Sequence, residues 1–513
     1  MQGDGLQSPV PGERAVVVGN PCQDRTEALA YISQQVASMD LANSEILRVT
    51  FVFQAFENSF RAWRGAPGAD LYSKSQRSDW IQTFWSHSWH GQCWRKVLTL
   101  LAMYNGPPAI ISGTLVAVAM MFLFSFQVLP EFIRGDEGLF RNRPYSSIWS
   151  VWSGFLITSL VMIFWRSQTR IFFDRICISE DRRLKSQAIV SLAGLLRRSD
   201  SMLILWDPTW TRRLWCLFEL AAFLRSREQG KEAKRIITPT LLGPVCFGVF
   251  LCTSAGTITL AMVPLQRELM ILNPGPISLV AAMVVGFTLV SHLRKYFREL
   301  DTMRQQLLLI SFDTAECACC ARNHVTLSGE PVLCDRIILK ECVMTWFGDL
   351  ESFENTIRAE VLAVLTRDLE RVLTTKSTIA VFAPIMWLSM DGAAVQWSVA
   401  GQLESPDALA FLLQGLCIWL VGMPTLKDWL LDVCKVARAR PSNQYLEVMK
   451  NLLAVLSASI PIVCTMGCFV TLQSLDLLSP LERAAAFCGG MLVYKILSWR
   501  LGVVLKAFIG HQT

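Results

Sequence analysis

The apolar residues of this chain gather into eight continuous runs separated by polar stretches. The runs cover 109–129, 147–165, 241–264, 277–293, 379–398, 408–425, 452–472 and 484–509. Runs of this length suit helices that cross a hydrocarbon layer roughly 30 Å thick. Lipid offers no hydrogen bonds to exposed backbone, so a run that crosses a membrane forms a helix. The pattern predicts an α-helical multipass membrane protein with about eight spans, and a large buried helical core is the alternative.

Short connections pair the predicted spans into four hairpins. The connections are residues 130–146, 265–276, 399–407 and 473–483. Of the 48 Lys and Arg residues in the chain, those within the connections are Arg134, Arg141, Arg143, Arg267 and Arg483. Positive charge concentrates on the cytoplasmic side of membrane proteins. We therefore expect the short connections outside, with both termini and the longer polar segments in the cytosol.

Composition supports the membrane interpretation. The chain is 52% apolar and 18% charged, whereas soluble domains carry about 25% charged residues. The formal net charge of +6 follows from the basic cytosolic segments, and no basic-aromatic surface indicates a nucleic-acid partner. The lipid bilayer is the expected partner.

The same pattern divides the chain into segments. A disordered N-terminus (1–24) and a helical region (25–78) come first. A cytosolic α/β domain is split into 79–108 and 166–240, and a cytosolic helical, Cys-rich region covers 294–378. A cytosolic loop covers 426–451. The membrane hairpins are 109–165, 241–293, 379–425 and 452–509.

Short apolar runs alternate with amphipathic helices in the split α/β domain. The predicted strands are 81–86, 170–174, 201–206 and 235–238, and the predicted helices are 93–104, 185–198 and 211–226. This alternation is typical of a parallel sheet covered by helices.

Four motifs follow one another in the split domain. They are Ser-His-Ser-Trp (86–89), Phe-Phe-Asp (172–174), Leu-Ile-Leu-Trp-Asp-Pro (203–208) and Leu-Trp-Cys-Leu-Phe-Glu-Leu (214–220). Together they resemble a TIR domain, and segment 174–180 is also similar to the signature of the related HET domains. The resemblance implies a flavodoxin-like sheet with the first strand between the second and third. Here a membrane hairpin interrupts the domain. The fifth strand that the resemblance implies is predicted within 308–316.

The TIR resemblance implies either signalling through self-association as a homo-oligomer or cleavage of the nicotinamide–ribose bond of NAD. The enzymatic members use one glutamate in a Trp-x-x-x-Glu helix, and Glu219 occupies that place. It shares a helix face with Trp215, although Arg213 stands where the family has a small residue. A carboxylate there would stabilise an oxocarbenium-like transition state. A surface position, or pairing with Arg212 or Arg213, is the structural alternative.

Further residues are candidates for binding the dinucleotide. His87 and Trp89 follow the first strand, where doubly wound sheets bind ligands. The arginines of the next loop, Arg175, Arg182 and Arg183, suit the diphosphate, and Trp215 completes the set. Packing or helix capping is the alternative for His87 and Trp89.

A cluster of thiols lies in the Cys-rich region. Cys317, Cys320, His324 and Cys334 are candidate ligands for a structural zinc ion. Their spacing is not a pair of Cys-x-x-Cys motifs, so a buried group of apolar thiols is the alternative. Sixteen cysteines in a reducing cytosol or a membrane are not expected to form a disulfide framework.

Charged residues within the predicted spans are Asp391 in the fifth and Lys495, Arg500 and Lys506 in the last, and Asp391 and Lys495 lie at roughly similar depth. Charges inside a membrane are taken as functional by default, so Asp391 and Lys495 could pair or line a polar path. The alternative is that Asp391 marks the outer end of its span and that the Lys495 side chain extends to the membrane surface. The sequence therefore predicts a membrane protein with a TIR-like signalling, scaffolding or NAD-cleaving domain. The rival is a channel or transporter with a TIR-like regulatory domain. A cleft around Glu219 would favour the enzyme.

Overall fold

The computed structural model describes residues 21–64, 70–131, 147–227, 234–262, 274–325, 329, 331–361, 375–400, 405–474 and 478–510. The chain forms two compact units. The first contains Met1–Thr99, Arg166–Leu242 and Asp301–Val372. The second contains Leu100–Trp165, Gly243–Leu300 and Leu373–Thr513. Both are built from segments that lie far apart in the sequence.

The first unit is built on a six-stranded mixed sheet. Its strands are β1 (Arg48–Phe51), β2 (Gln76–Arg77), β3 (Ile81–His87), β4 (Arg170–Phe172), β5 (Ser199–Trp206) and β6 (Lys234–Pro239). The order is β2-β1-β4-β3-β5-β6. Neighbours from β4 to β6 are parallel, whereas β1 is antiparallel to both β2 and β4. The four predicted strands pair as expected, with the first between the second and third.

Burial explains why these strands are readable in the sequence. In β3 and β5, all but one residue of each strand is buried. Parallel strands covered on both faces carry nearly continuous apolar runs. The antiparallel strands β1 and β2 were missed within the predicted helical region 25–78, because strands of four and two residues show no reliable period.

Helices cover this sheet. Those of the first unit are Pro21–Ala37, Val52–Arg64, Asp174–Cys177, Arg182–Val190, Leu192–Arg197, Leu214–Arg225, Ala318–Ala321, Asp335–Phe347 and Leu350–Thr356, together with the first part of Cys93–Tyr104. The helix Pro21–Ala37 begins inside the segment predicted to be disordered, and residues 1–20 lie outside the described part of the chain. Nine of the twelve residues of Leu214–Arg225 are buried, so this helix belongs to the core.

The predicted fifth strand does not form within 308–316. Leu308 ends the helix Pro274–Leu308, and among the described residues the β-pairing of the segment is an isolated bridge between Arg213 and Glu316. Glu316 O accepts from Leu214 N at 3.1 Å, and Glu316 N donates to Arg212 O at 2.6 Å. The segment therefore holds the start of the helix Leu214–Arg225 instead of extending the sheet.

The regular secondary structure in the described residues of the second unit is helical. Its helices are Gly106–Ser125, Trp149–Phe164, Leu242–Ala261, Pro274–Leu308, Thr375–Val381, Ala383–Ala400, Pro406–Val436 (with a π-helical turn at Ile418–Gly422), Gln444–Gln473 and Pro480–Gly510. All eight predicted spans lie on these helices. Four described helices are long and apolar enough to cross a membrane: Gly106–Ser125, Leu242–Ala261, Pro406–Val436 and Gln444–Leu472.

Small residues let the helices Gly106–Ser125, Trp149–Phe164 and Ala383–Ala400 approach one another closely. A Cβ atom on Gly113 would lie 2.0 Å from Thr158 Oγ1, and one on Gly154 would lie 2.7 Å from the ring of Trp387. Close contact through small residues is typical of helices packed in lipid. Large apolar side chains point outward elsewhere, among them Leu115 and Val463, each 66% exposed. An apolar exterior over a packed interior is what a hydrocarbon environment favours.

Candidate functional site

A cavity of about 140 Å³ lies at the carboxyl ends of β3 and β4 in the first unit. Doubly wound sheets bind their ligands at this position. Its lining residues are Phe84, Trp85, His87, Ser88, Trp89, Phe172, Asp174, Ile178, Lys185, Ile189, Leu192, Arg213, Trp215, Cys216, Glu219, Ala318 and Asp335. The predicted residues Glu219, Trp215, His87 and Trp89 are therefore brought together around one cavity.

The Glu219 side chain reaches the cavity from the helix Leu214–Arg225. Ser86 Oγ donates to its Oε2 at 2.6 Å, and Trp210 Nε1 donates to the same hydroxyl at 3.0 Å. Burial raises the pKa of Glu219 to about 8, opposed in part by the Ser86 hydrogen bond and assisted by the charge of Asp174. The carboxyl is accordingly protonated at neutral pH, and a cation in the cavity would favour its ionisation.

The structural alternative, a pairing of Glu219 with Arg212 or Arg213, does not occur among the described residues. The hydrogen-bond partner of Glu219 among the described residues is Ser86. Arg213 instead forms an ion pair with Glu316 at 3.6 Å. Glu219 thus remains directed at the cavity and is not neutralised by a neighbouring guanidinium.

His87 is buried within a group of aromatic rings beside Glu219. Its ring centroid lies 5.2 Å from that of Trp63, 4.6 Å from that of Trp89 and 5.4 Å from that of Phe173. Burial lowers the pKa of His87 to about 4, so the imidazole is neutral at physiological pH. Among the described residues its Nε2 has no hydrogen-bond partner. A buried polar atom of this kind is available to a ligand.

Two indole rings of the cavity wall are held by carboxylates. Trp89 Nε1 donates to Asp174 Oδ2 at 3.0 Å, and Trp215 Nε1 donates to Asp335 Oδ2 at 3.2 Å. Aromatic faces attract cationic rings. The arrangement provides a fixed aromatic enclosure with a carboxyl group beside it.

The turn after β3 is held by a buried ion pair. Lys96 Nζ lies 3.3 Å from Asp207 Oδ2, and both side chains are almost fully buried. Lys96 also donates to Ser88 O. A Cβ atom on Gly91 would lie 2.0 Å from Asp207 Oδ2, so the close approach of this turn requires glycine.

Sequence reasoning missed several residues of this site. Ser86 lies in a quoted motif, but its hydrogen bond to Glu219 spans 133 residues and left no local signal. Asp335, the partner of Trp215, comes from the Cys-rich region. Asp207 directly follows β5, the position after a parallel strand where ligand-binding side chains are found, and could have been identified by that criterion, whereas Lys96 lies within the helix Cys93–Tyr104.

The predicted diphosphate-binding arginines lie outside the cavity lining. Arg182 and Arg183 are exposed, and Arg175 is half-buried. The basic residues that do line the cavity are Lys185 and Arg213. A phosphate group near the cavity would therefore meet these two side chains first.

A second chemically distinct cluster lies in the same unit. The ligand atoms of Cys319, Cys320, His324 and Cys334 all lie within 4.8 Å of one another. The predicted zinc set contained Cys317 in place of Cys319. In the structure Cys317 instead groups with Cys319 and Asp335, because the one-turn helix that starts at Ala318 directs adjacent side chains differently.

The membrane-region charges Asp391 and Lys495 do not pair. The Asp391 carboxylate accepts from Ser147 Oγ at 2.7 Å, Ser150 N at 2.9 Å and Val151 N at 3.0 Å. It therefore caps the start of the helix Trp149–Phe164. Lys495 is exposed on the helix Pro480–Gly510.

Comparisons with known protein families, with curated proteins and with solved structures found no match to this chain.

Proposed function

We propose that this chain is a membrane-anchored, TIR-like protein that hydrolyses the nicotinamide–ribose bond of NAD in its first unit. The observation that carries the proposal is Glu219, whose carboxyl group lies in an aromatic cavity at the carboxyl ends of two parallel strands. The alternative of a purely structural Glu219 requires a side chain without an adjacent cavity.

The sheet supports the TIR-like interpretation. In the order β4-β3-β5-β6, the first parallel strand lies between the second and third, as in flavodoxin-like sheets. The helix that carries Trp215 and Glu219 follows β5, as the motif order requires. The antiparallel strands β1 and β2 extend the sheet on the other side of β4, a departure from the TIR pattern.

The cavity suits one ring of the substrate. A cavity of about 150 Å³ holds a benzene ring, so about 140 Å³ matches a nicotinamide ring and leaves the remaining dinucleotide outside. The cationic ring would contact the aromatic faces of Trp89 and Trp215. The neutral His87 would offer Nε2 to the carboxamide, and Lys185 and Arg213 would attract the diphosphate.

Glu219 would act after the ring binds. The positive charge of nicotinamide lowers the pKa of the carboxyl, which then ionises and stabilises the oxocarbenium character that develops on the ribose. The C–N bond breaks, and neutral nicotinamide leaves with the bonding electron pair. Water forms the new C–O bond and passes its proton to the Glu219 carboxylate, leaving ADP-ribose.

The decisive experiment measures nicotinamide and ADP-ribose released from NAD by the full-length protein purified in detergent. We expect turnover by the wild type and a loss of at least about 100-fold in Glu219→Gln. Glu45→Gln is the matched control, because Glu45 lies in the same unit and its exposed side chain pairs with Arg77. Absence of nicotinamide release by the wild type would contradict the enzyme and favour a self-associating TIR-like scaffold.

We further infer that the second unit crosses the membrane as four hairpins, with both termini in the cytosol. Eight apolar runs lie on helices, and five of the 48 basic residues fall in the short connections. Tags at either terminus should be accessible from the cytosol, whereas tags in 130–146 or 265–276 should be accessible only from outside. A tag at position 230 on the outer side would overturn the hairpin topology.

A further inference from the structure

We propose that Cys319, Cys320, His324 and Cys334 bind one Zn²⁺ ion, and that this metal holds one wall of the Glu219 cavity in place. The site rests on its own geometry and would stand without NAD cleavage. Three thiolates and one imidazole form a donor set typical of structural zinc.

The spacing of the donor atoms suits a tetrahedral ion. Zinc–sulfur bonds of about 2.3 Å place two ligand sulfurs about 3.8 Å apart in a tetrahedron. Cys320 Sγ and Cys334 Sγ lie 3.6 Å apart, and all four ligand atoms lie within 4.8 Å of one another. Small side-chain movements are therefore enough to place an ion between them.

The backbone is shaped to bring His324 back to the cysteines. After the short helix Ala318–Ala321, Asn323 and His324 adopt φ angles of +53° and +58°. Two successive non-glycine residues in the left-handed region are unusual, and such conformations persist where surrounding contacts hold them. His324 N donates to Cys319 O at 2.8 Å, and Val332 N donates to His324 O at 2.9 Å. These bonds fix the turn that carries the imidazole.

An unpartnered nitrogen provides an independent observation. His324 Nε2 is buried, and among the described residues it has no hydrogen-bond partner. Buried polar atoms are otherwise almost always satisfied. A bond from this nitrogen to the metal would account for an imidazole placed among thiols. A bond from the other ring nitrogen, after rotation of the ring, would do the same.

The cysteines are arranged as ligands and not as a disulfide. The 3.6 Å between Cys320 Sγ and Cys334 Sγ far exceeds a sulfur–sulfur bond of about 2.05 Å. Asp335 N donates to Cys319 Sγ at 3.3 Å, a bond that becomes stronger when the sulfur is a metal-bound thiolate. Zinc binding would release the thiol protons.

The proposed metal site adjoins the cavity wall. Ala318 and Asp335 line the cavity, and each is next in sequence to a cysteine of the cluster. Asp335 connects the two sites, because its carboxylate accepts from Trp215 Nε1 at 3.2 Å while its backbone donates to Cys319. An ion bound at the cysteines would therefore fix the carboxylate that orients Trp215.

The first test measures metal content in the full-length protein purified in detergent without chelators. We expect one zinc ion per chain by elemental analysis. Cys320→Ser and His324→Ala should lose most of this zinc. Cys93→Ser should keep it, since Cys93 is in the same unit on another helix. Cys317→Ser should also keep it, because Cys317 lies outside the four-residue set.

A second measurement does not depend on variants that fold. Cobalt(II) added to the reduced, metal-free wild type should give the visible absorption of a tetrahedral ion, with thiolate-to-cobalt charge transfer. Folded wild type that contains no zinc and takes up no cobalt would overturn the site. Thiol titration that reveals a Cys320–Cys334 disulfide would do the same.

The link to the cavity has its own readout. Chelation of the metal should increase backbone hydrogen exchange in 331–347 and in the helix Leu214–Arg225, while β6 stays unchanged. Equal exchange in these segments with and without metal would leave the zinc site in place but contradict its action on the wall.

Discussion

Asp391, which is buried, and Glu219, which is partly buried, have opposite surroundings. Asp391, in the helical unit, is 2% exposed and accepts from the Ser147 hydroxyl and from two backbone N–H groups at the start of a helix. Glu219, in the sheet unit, accepts one hydrogen bond from Ser86 and lines a cavity. Burial alone does not distinguish a structural carboxylate from a functional one. The number of hydrogen-bond donors around the carboxylate and the presence of an adjacent cavity distinguish the two.

This difference in hydrogen-bond donors and adjacent space distinguishes a structural role from a functional role for each side chain. The Asp391 carboxylate accepts hydrogen bonds from three donors. The hypothesis that Asp391 lines a polar path therefore has no support. Glu219 accepts a hydrogen bond from Ser86, and burial raises its pKa to about 8, so a cationic ligand can change its protonation state. A group whose ionisation responds to a ligand is suited to chemistry, whereas a saturated one is suited to holding helices together.

The largest expected effect is the loss of stability in Asp391→Ala. The substitution leaves three buried donors without an acceptor, and each unsatisfied donor costs about 1–3 kcal/mol. We expect the detergent-purified variant to unfold at a clearly lower temperature than the wild type. Asp391→Asn is the control, because its amide oxygen still accepts, and its unfolding temperature should fall less. Equal unfolding temperatures for Asp391→Ala and the wild type would show that the cap contributes nothing.

The next effect concerns pH and Glu219. Burial raises its pKa from 4.5 to about 8, so the folded protein keeps a proton that the unfolded chain releases in this range. Stability should therefore fall as pH rises from about 4.5 to about 8 and then level off, by at most about 1.4 kcal/mol per pH unit. At each pH, the difference between the unfolding temperatures of the wild type and Glu219→Gln isolates this contribution. Parallel profiles for the two proteins would mean that the folded carboxyl ionises normally.

A smaller effect is expected for Ser86→Ala. This change removes the acceptor of Trp210 Nε1 and the hydrogen bond that lowers the Glu219 pKa. Stability should fall by about 1–3 kcal/mol, and the pH at which the Glu219 contribution levels off should move upward. Ser186→Ala removes a hydroxyl whose solvent-exposed hydrogen bond goes to Arg182 O, and it should change neither property. An unmoved pH profile in Ser86→Ala would remove Ser86 from the account of Glu219.

The smallest effect is expected for Trp215→Phe. The ring face is largely retained, but the hydrogen bond to Asp335 Oδ2 is lost. One such bond contributes about 1 kcal/mol, so the unfolding temperature should drop only slightly. The drop should vanish in an Asp335→Ala background, where the acceptor of this bond is absent. Additive losses from the two substitutions would show that these side chains act independently.

Much of the architecture could be read from local sequence. The eight apolar runs predicted helices, and all of them lie on helices. The strands β3 to β6 were found because continuous burial makes each an apolar run. The Trp215–Glu219 face was found because helix geometry places residues four apart together.

The sequence by itself determined these elements because their signals are local: apolar length, period and turn chemistry within about twenty residues. Only the tertiary structure decided that Ser86 is the partner of Glu219, that Asp335 holds Trp215, and that Cys319 replaces Cys317 in the thiol cluster. It also decided that Asp391 is a helix cap. The first two of these contacts join residues 133 and 120 positions apart. Their geometry follows from how sheet, helices and turns pack, and a difference of two positions along the chain is enough to place one cysteine in the cluster and another outside it.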